Sequence, residues 1–340
     1  MKHPSFSRRQ FMGASAAAAG SGFFFHGTGI AAAADGFPGE RILTVPEKDQ
    51  LRLLQFTDLH FFNAINKYPV REEYLRLKTI GIMRRLVDHA RPDLIIATGD
   101  LWHENTDGRG MEFMHWAADQ IAALGVPWTL TWGNHDDVDD QAAAHRFLTT
   151  ALHSVYDGEA NQGHHVVAVE MSGGKRILEL FCLNSGDTGI KADALDFLSR
   201  YAEAYTYADG EAPLRMSAFH IPLKQYQDRW DDGTARGLLG EKVYFESEDG
   251  SALSGFVKAG ISAIFCGHDH ESDYSAFSDG IELIYGRATG YNGYGAETLD
   301  KGAKLYEIDT RTRTYRWKTL FPDGTTWQPG KDEHLDISEE

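Results

Sequence analysis

Trp128-Thr129-Leu130-Thr131-Trp132-Gly133-Asn134-His135-Asp136 sets an apolar, strand-like run directly against an amide, an imidazole and a carboxylate. Packing alone does not call for three such groups in a row, although Asp136 could also cap a following helix. Four other short apolar runs end the same way. Residues 51–56 lead into Asp58-Leu59-His60, residues 94–98 into Gly99-Asp100, residues 216–219 into His220, and residues 261–266 into Gly267-His268-Asp269-His270. In open α/β sheets, ligands collect beyond the carboxyl ends of the strands. The five clusters therefore read as one site assembled from the whole chain. A donor set of imidazoles, carboxylates and one amide, without thiolate, suits hard or borderline divalent metals.

The spacing supports that reading. Asp58 and Asp100 are 42 residues apart, Asp100 and Asn134 are 34 apart, and His220 and His268 are 48 apart. Each gap fits a strand–helix–strand excursion. Between the runs, residues 71–89, 111–124, 140–152, 193–205 and 253–259 carry apolar side chains at helical spacing. Residues 165–169 and 176–183 flank Gly173-Gly174 as a hairpin, and residues 281–285, 303–308 and 314–320 read as further strands. The expected class is α/β, with a parallel sheet from the early βαβ units and antiparallel strands added to it later.

Ser7-Arg8-Arg9-Gln10-Phe11-Met12, a following stretch rich in Ala, Gly and Phe, and Ala32-Ala33-Ala34 form a twin-arginine export signal over residues 1–34. The competing reading is an N-terminal anchor, which His26 and five glycines between residues 13 and 34 make a poor one. Export would engage the twin-arginine translocation machinery and place the mature chain in the periplasm or outside the cell. Residues 35–340 then form a single domain with its core over about 50–320 and an acidic tail at 332–340. The full chain carries a formal charge of −17; without residues 1–34, 30 cations face 50 anions, or −20. Such a surface repels a phosphate backbone, so no nucleic-acid partner is expected. Cys182 and Cys266 lie inside apolar runs and read as two buried thiols, with a disulfide as the alternative.

The ordered set Asp-x-His, Gly-Asp, Gly-Asn-His-Asp, His and Gly-His-x-His resembles the calcineurin-like metallophosphoesterases over roughly residues 50–310. Phe219-His220-Ile221-Pro222-Leu223, Asp273 after Gly267–His270, Tyr285-Gly286-Arg287 and Thr289–Gly295 are similar to the purple-acid-phosphatase-like branch. The resemblance implies a four-layer α/β/β/α sandwich, two mixed β-sheets flanked by helices. It implies two metal ions, divalent or trivalent (Fe, Mn, Zn or Co), sharing Asp100. Asp58, His60 and His270 would complete one, and Asn134, His220 and His268 the other. A hydroxide bridging the two metals would attack the phosphorus of a phosphomonoester or small phosphodiester. His135 would serve the leaving oxygen and Asp136 would orient its ring.

One position departs from that pattern. Purple acid phosphatases have a tyrosine three residues after the Gly-Asp aspartate, and here it is His103, an extra ligand or a neighbour of one. Ferric iron and its colour are therefore not expected. Glu104 and Asp137 are candidate supports for the ligands; Trp102, Tyr291 and Tyr294 could wall a substrate cleft or simply pack. Alternatives are a nuclease, a cyclic-nucleotide phosphodiesterase, or a non-hydrolytic binding protein on the same scaffold. A mononuclear non-haem iron oxygenase would leave most of the cluster idle.

Overall fold

A computed structural model describes residues 29–32, 36–208 and 210–338. In chain order the elements begin with β1 (Gly29–Ala32), β2 (Glu40–Val45), β3 (Gln50–Phe56), α1 (Pro69–Ala90), β4 (Leu94–Thr98), α2 (Gly110–Ala122), β5 (Trp128–Thr131) and α3 (Gln141–Thr150). The middle holds β6 (His165–Met171), β7 (Arg176–Cys182), α4 (Ala192–Ala204), β8 (Leu214–Ala218), α5 (Gln225–Asp231), β9 (Arg236–Leu239) and α6 (Leu253–Lys258). The last third contributes β10 (Ala263–Cys266), β11 (Ser272–Ser278), β12 (Ile281–Tyr285), β13 (Ala303–Asp309), β14 (Tyr315–Leu320), β15 (Thr326–Trp327) and β16 (His334–Asp336).

These strands form two mixed sheets. Six run in the order β15-β14-β13-β3-β4-β5, and ten in the order β1-β2-β6-β7-β8-β10-β12-β11-β9-β16. β3, β4 and β5 are parallel neighbours, as are β7, β8, β10 and β12. Alternation along β3 shows why the sheets stack. Leu51 and Leu53 face the apolar layer shared with Val167, Leu180, Met216 and Phe265 of the other sheet. Leu54 and Phe56 face the opposite way, onto the layer under α1 and α2. A strand buried on both faces needs apolar residues at nearly every position. The far face of the larger sheet is covered by α4, α5 and α6 through Phe197, Tyr226 and Phe256. The result is four layers, α/β/β/α.

Local signals set the helix ends. Pro69 supplies the fixed φ of a first helical residue, and Arg91 closes α1 in the left-handed conformation, its N–H on the Val87 carbonyl. The N-cap of α3 is Asp140, whose side chain accepts from the Ala143 N–H, and not Asp136. Cys182 and Cys266 are buried free thiols.

The structure corrects the sequence reading in places. The β6–β7 hairpin joins the second sheet rather than extending the β3–β4–β5 sheet. The acidic end is not wholly a solvated tail: His334 stacks on Trp230, centroids 4.0 Å apart, and β16 pairs with β9. The twin-arginine residues lie outside the described residues. Residues 29–32, within the expected signal, pair antiparallel with β2 as an edge strand. No described helix is long and apolar enough to cross a membrane.

One charged cluster is sealed inside. Asp273 on β11 accepts from Arg287 at 2.7 Å and from Lys304 and Thr319, all nearly without exposure. Burial works to raise the Asp273 carboxyl, but Lys304 and Arg287 outweigh it and hold it below the ordinary range. Its stabilising effect is therefore present above the unfolded value, about 3.9, and is lost as pH falls through the lower folded value. Asp273→Ala should cost about 3–5 kcal/mol in urea unfolding near neutral pH, because two buried cations lose their partner.

Candidate metal centre

All five predicted clusters emerge at one end of the molecule, where strand termini of both sheets converge. Asp58 and His60 follow β3, Asp100 follows β4, Asn134 and His135 follow β5, His220 follows β8, and His268 and His270 follow β10. Asp58, His60, Asp100 and His268 all have positive φ, at 55°, 47°, 55° and 81°. Four non-glycine residues in that region mark a backbone bent against its preference to aim side chains at a common point.

Two glycines make the approach feasible. A Cβ on Gly133 would lie 2.1 Å from Asp100 Oδ1, and one on Gly267 would lie 2.0 Å from Thr57 Oγ1 and 2.8 Å from Asp58 Oδ2. The loops are then tied across the sheets. His220 Nδ1 donates to the Thr98 carbonyl at 2.8 Å, and the His268 N–H points at the Asp58 carboxylate at 3.2 Å.

Two donor groups result. His270 Nε2 lies 3.4 Å from Asp58 Oδ1 and 3.0 Å from His60 Nε2. His220 Nε2 lies 3.1 Å from Asn134 Oδ1 and 3.2 Å from His268 Nδ1. One atom of the second group, on Asp100, also reaches the first. Asp100 Oδ2 is 3.3 Å from His60 Nε2 and 3.2 Å from His220 Nε2, while Asp100 Oδ1 accepts from the His135 N–H at 3.0 Å. Asp58, His60 and His270, and Asp100, His220 and His268, each place ligand atoms close enough together to hold one ion. Imidazole nitrogens and carboxylate oxygens facing one another at 3.0–3.4 Å fit a shared cation better than an apolar packing role.

Electrostatics agree with that fit. Burial works to raise the Asp58 and Asp100 carboxyls, but the surrounding imidazoles, His270 beside Asp58 and His220 beside Asp100, hold both well below the carboxylate range. Burial drives His60 well below its ordinary value, and burial with His220 takes His268 down to about 4. Ionised carboxylates and neutral imidazoles are the forms that bind metal. His220 differs: burial opposes its charge, yet Asp100 and Asp58 raise it to about 10. Its proton is the one a metal would displace.

Supporting contacts refine the expected roles. Asp136 does not orient His135. It is buried, and its carboxylate accepts from the N–H groups of Gly133, Asp100 and Leu101, each at 2.8 Å, and of Trp102 at 3.2 Å. The His135 ring is held instead by Glu104, Nδ1 to Oε1 at 2.6 Å, and lies against His103 with centroids 4.4 Å apart. His103 Nδ1 meets His60 Nδ1 at 3.0 Å, the nitrogen opposite the one facing Asp100. His103 is thus a neighbour that fixes the His60 ring, and with Glu104 and His135 it forms a third group whose ligand atoms lie close enough together to hold an ion. His270 Nδ1 points at the Tyr294 carbonyl at 3.2 Å, which also accepts from Lys301 at 2.6 Å.

Trp102 is fully buried, donates to the Asp137 carbonyl and packs on Trp132. Tyr291 sits under Lys78, away from the donors. Only Tyr294 of the three aromatics lines the cavity of about 320 Å³ over the centre, its ring stacked on His270 at 4.0 Å. A larger cavity of about 820 Å³ adjoins it, with Asn134 on both walls and Asp137 on the larger one. Sequence reasoning missed Glu246, whose Oε1 lies 3.6 Å from His268 Nε2.

Comparisons with known proteins point to one family. The sequence model of the calcineurin-like phosphoesterases matches residues 51–272. "Probable inactive purple acid phosphatase 29" of Arabidopsis thaliana is 25% identical over 85% of this chain and 84% of its own length. "Phosphatase DCR2" of Saccharomyces cerevisiae is 24% identical over 83% of this chain, which spans 56% of that protein. Among solved structures, the purple acid phosphatase PPD1 of yellow lupin (Lupinus luteus) superposes with a TM-score of 0.52 at 12% identity, over 85% of this chain and 55% of that one.

Asp136→Ala should strip four N–H groups of their acceptor and lower unfolding stability by at least about 2 kcal/mol. Glu104→Ala, at an exposed position, should leave stability within about 0.5 kcal/mol of the parent. Equal losses in the two variants would contradict the roles assigned here.

Proposed function

This chain belongs to the calcineurin-like phosphoesterase family, and from that premise we propose that it is an active binuclear metal-dependent hydrolase of a phosphomonoester or small phosphodiester. One observation carries the reading: a single carboxylate oxygen, Asp100 Oδ2, stands within 3.3 Å of His60 Nε2 and 3.2 Å of His220 Nε2, one from each donor group. Asp58, His60 and His270 would hold one ion, and Asn134, His220 and His268 the other. When bound, a pair of such ions supplies Lewis acidity toward phosphate oxygens and a water acidic enough to attack near neutral pH.

The chain's own groups do the rest. Asp100 offers Oδ2 to both sides because Oδ1 is engaged by the His135 N–H. Glu104 accepts a hydrogen bond from His135 Nδ1 and so fixes the ring, which leaves Nε2 as the nitrogen free to meet the departing oxygen. The stacked His103 ring limits how far His135 can swing. The cavity of about 820 Å³ beyond Asn134 is large enough for the alcohol part of an ester.

The relatives called inactive make activity a claim about this site, not about the family. Every residue expected to hold metal is present here, together with His135, which favours a working enzyme over a binding protein. The reading includes export through the twin-arginine route, and substitution of Arg8 and Arg9 by lysine should retain the chain in the cytoplasm.

Turnover of a panel of phosphomonoesters and diesters, with Mn, Zn, Fe or Co supplied, tests the reaction. Asp100→Ala should abolish turnover and remove metal from both positions. His135→Ala should keep the metal and lose about 10²–10⁴-fold in kcat. Full turnover in the Asp100 variant, or none in the metal-loaded parent on any ester, would overturn the proposal.

A further inference from the structure

Helix α1 carries two exposed features that its packing against the sheet does not explain. Val70, Tyr74 and Leu77, at i, i+4 and i+7, share the outward stripe of the helix and are 82%, 65% and 62% exposed. Tyr68, just before the helix, is half-exposed. Isolated exposed apolar residues are ordinary, but a contiguous ridge on one helix marks an interaction surface. Alongside it runs a second stripe, Arg71, Lys78 and Arg85, spaced by seven residues and exposed. None of these three forms an ion pair with a described residue. The exposed carboxylates on α1 are Glu73 and Asp88.

The second feature is a cavity of about 620 Å³ on the flank of the same helix, walled by Lys78, Arg85, Lys301, Tyr291 and Phe321. Lys301 is 2% exposed, and its ammonium group donates to the Tyr294 carbonyl, with no carboxylate within ion-pair reach among the described residues. A buried ammonium has three protons to place. Asp300 and Asp323 also touch the wall, but the Asp323 carboxylate already accepts from Thr325 N–H and Oγ1 at 2.9 and 2.6 Å. Three cations and two carboxylates thus line the cavity, in a chain whose formal charge is −17. The excess of positive charge in the cavity favours an anion.

We propose that the outer face of α1 and this cavity form a docking surface for an anionic phospholipid membrane. A headgroup phosphate enters between Lys78 and Arg85, and the Val70–Tyr74–Leu77 ridge settles into the interfacial region. A free phosphate would satisfy the cations but would leave the apolar ridge unexplained. A lipid surface takes both, with tyrosines at headgroup level and cations against the negative leaflet. With 22 residues, α1 is roughly 33 Å long and lies along the surface rather than through it. The acidic remainder of the chain is repelled by such a surface, which confines contact to this face.

Sedimentation of the full chain with vesicles tests this directly. The comparison is between phosphatidylcholine vesicles and the same vesicles doped with phosphatidylglycerol, at low and high salt. Binding should require the anionic lipid and weaken with salt. Lys78→Ala with Arg85→Ala should weaken it about thirtyfold, since each cation at a membrane surface contributes on the order of 1 kcal/mol. Val70→Ser with Leu77→Ser should weaken it without shifting the melting temperature. Failure to bind anionic vesicles, equal binding to both vesicle types, or unchanged binding by the double variants would overturn the proposal. So would tight inorganic phosphate binding by a chain that ignores anionic vesicles. A dimer in light scattering that Leu77→Asp converts to monomer would also overturn it, because a second copy would then cover the ridge.

Discussion

The Asp136 carboxylate, accepting four backbone N–H groups from Gly133, Asp100, Leu101 and Trp102, is the interaction on which the site depends. It joins the loop leaving β5 to the loop leaving β4, beyond the point where the two strands stop pairing at Thr98 and Thr131. With Asp100 so placed, Oδ1 meets the His135 N–H and Oδ2 is left between His60 and His220. The Thr98 carbonyl performs the corresponding task between sheets, receiving His220 Nδ1 from the far side. A site drawn from strands of both sheets requires such ties, because sheet stacking alone positions strands and not the loops beyond them.

The same constraint accounts for the strained backbone. Asp58, His60, Asp100 and His268 adopt positive φ just past their strands, where an extended chain would carry the side chains away from one another. Such conformations persist when surrounding contacts over-determine them. The His60 N–H on the Asp100 carbonyl at 2.8 Å and the Asp58 N–H on the Gly99 carbonyl at 3.2 Å are two of those contacts. The layered core holds the strand ends still while the loops bear the distortion.

Much of this was legible in the chain, and the limits have physical causes. Runs such as Leu94–Thr98 and Ala263–Cys266, buried on both faces, announce themselves by unbroken apolar composition. The residues that follow them announce the donors. β11 was missed because Ser272, Asp273 and Ser278 interrupt its apolar pattern, and Asp273 finds its buried partners in Arg287, just past β12, and Lys304 on β13. β9 is four residues long and contains Gly237, so it offers no periodicity to read. Asp136 looked like the partner of its neighbour His135 because adjacency is all a sequence displays. The turn at Gly133 points it backwards, and Glu104 reaches His135 instead. The ridge of Val70, Tyr74 and Leu77 was equally hidden, since helical spacing marks an apolar face without saying which side the sheet will cover.

The central claim is that one carboxylate oxygen organises two ion positions from seven scattered ligands. Anomalous scattering from crystals grown with manganese tests it most directly. The account predicts two separate peaks flanking Asp100 Oδ2, one beside Asp58, His60 and His270 and the other beside Asn134, His220 and His268. A single peak, or none among these residues, would contradict it.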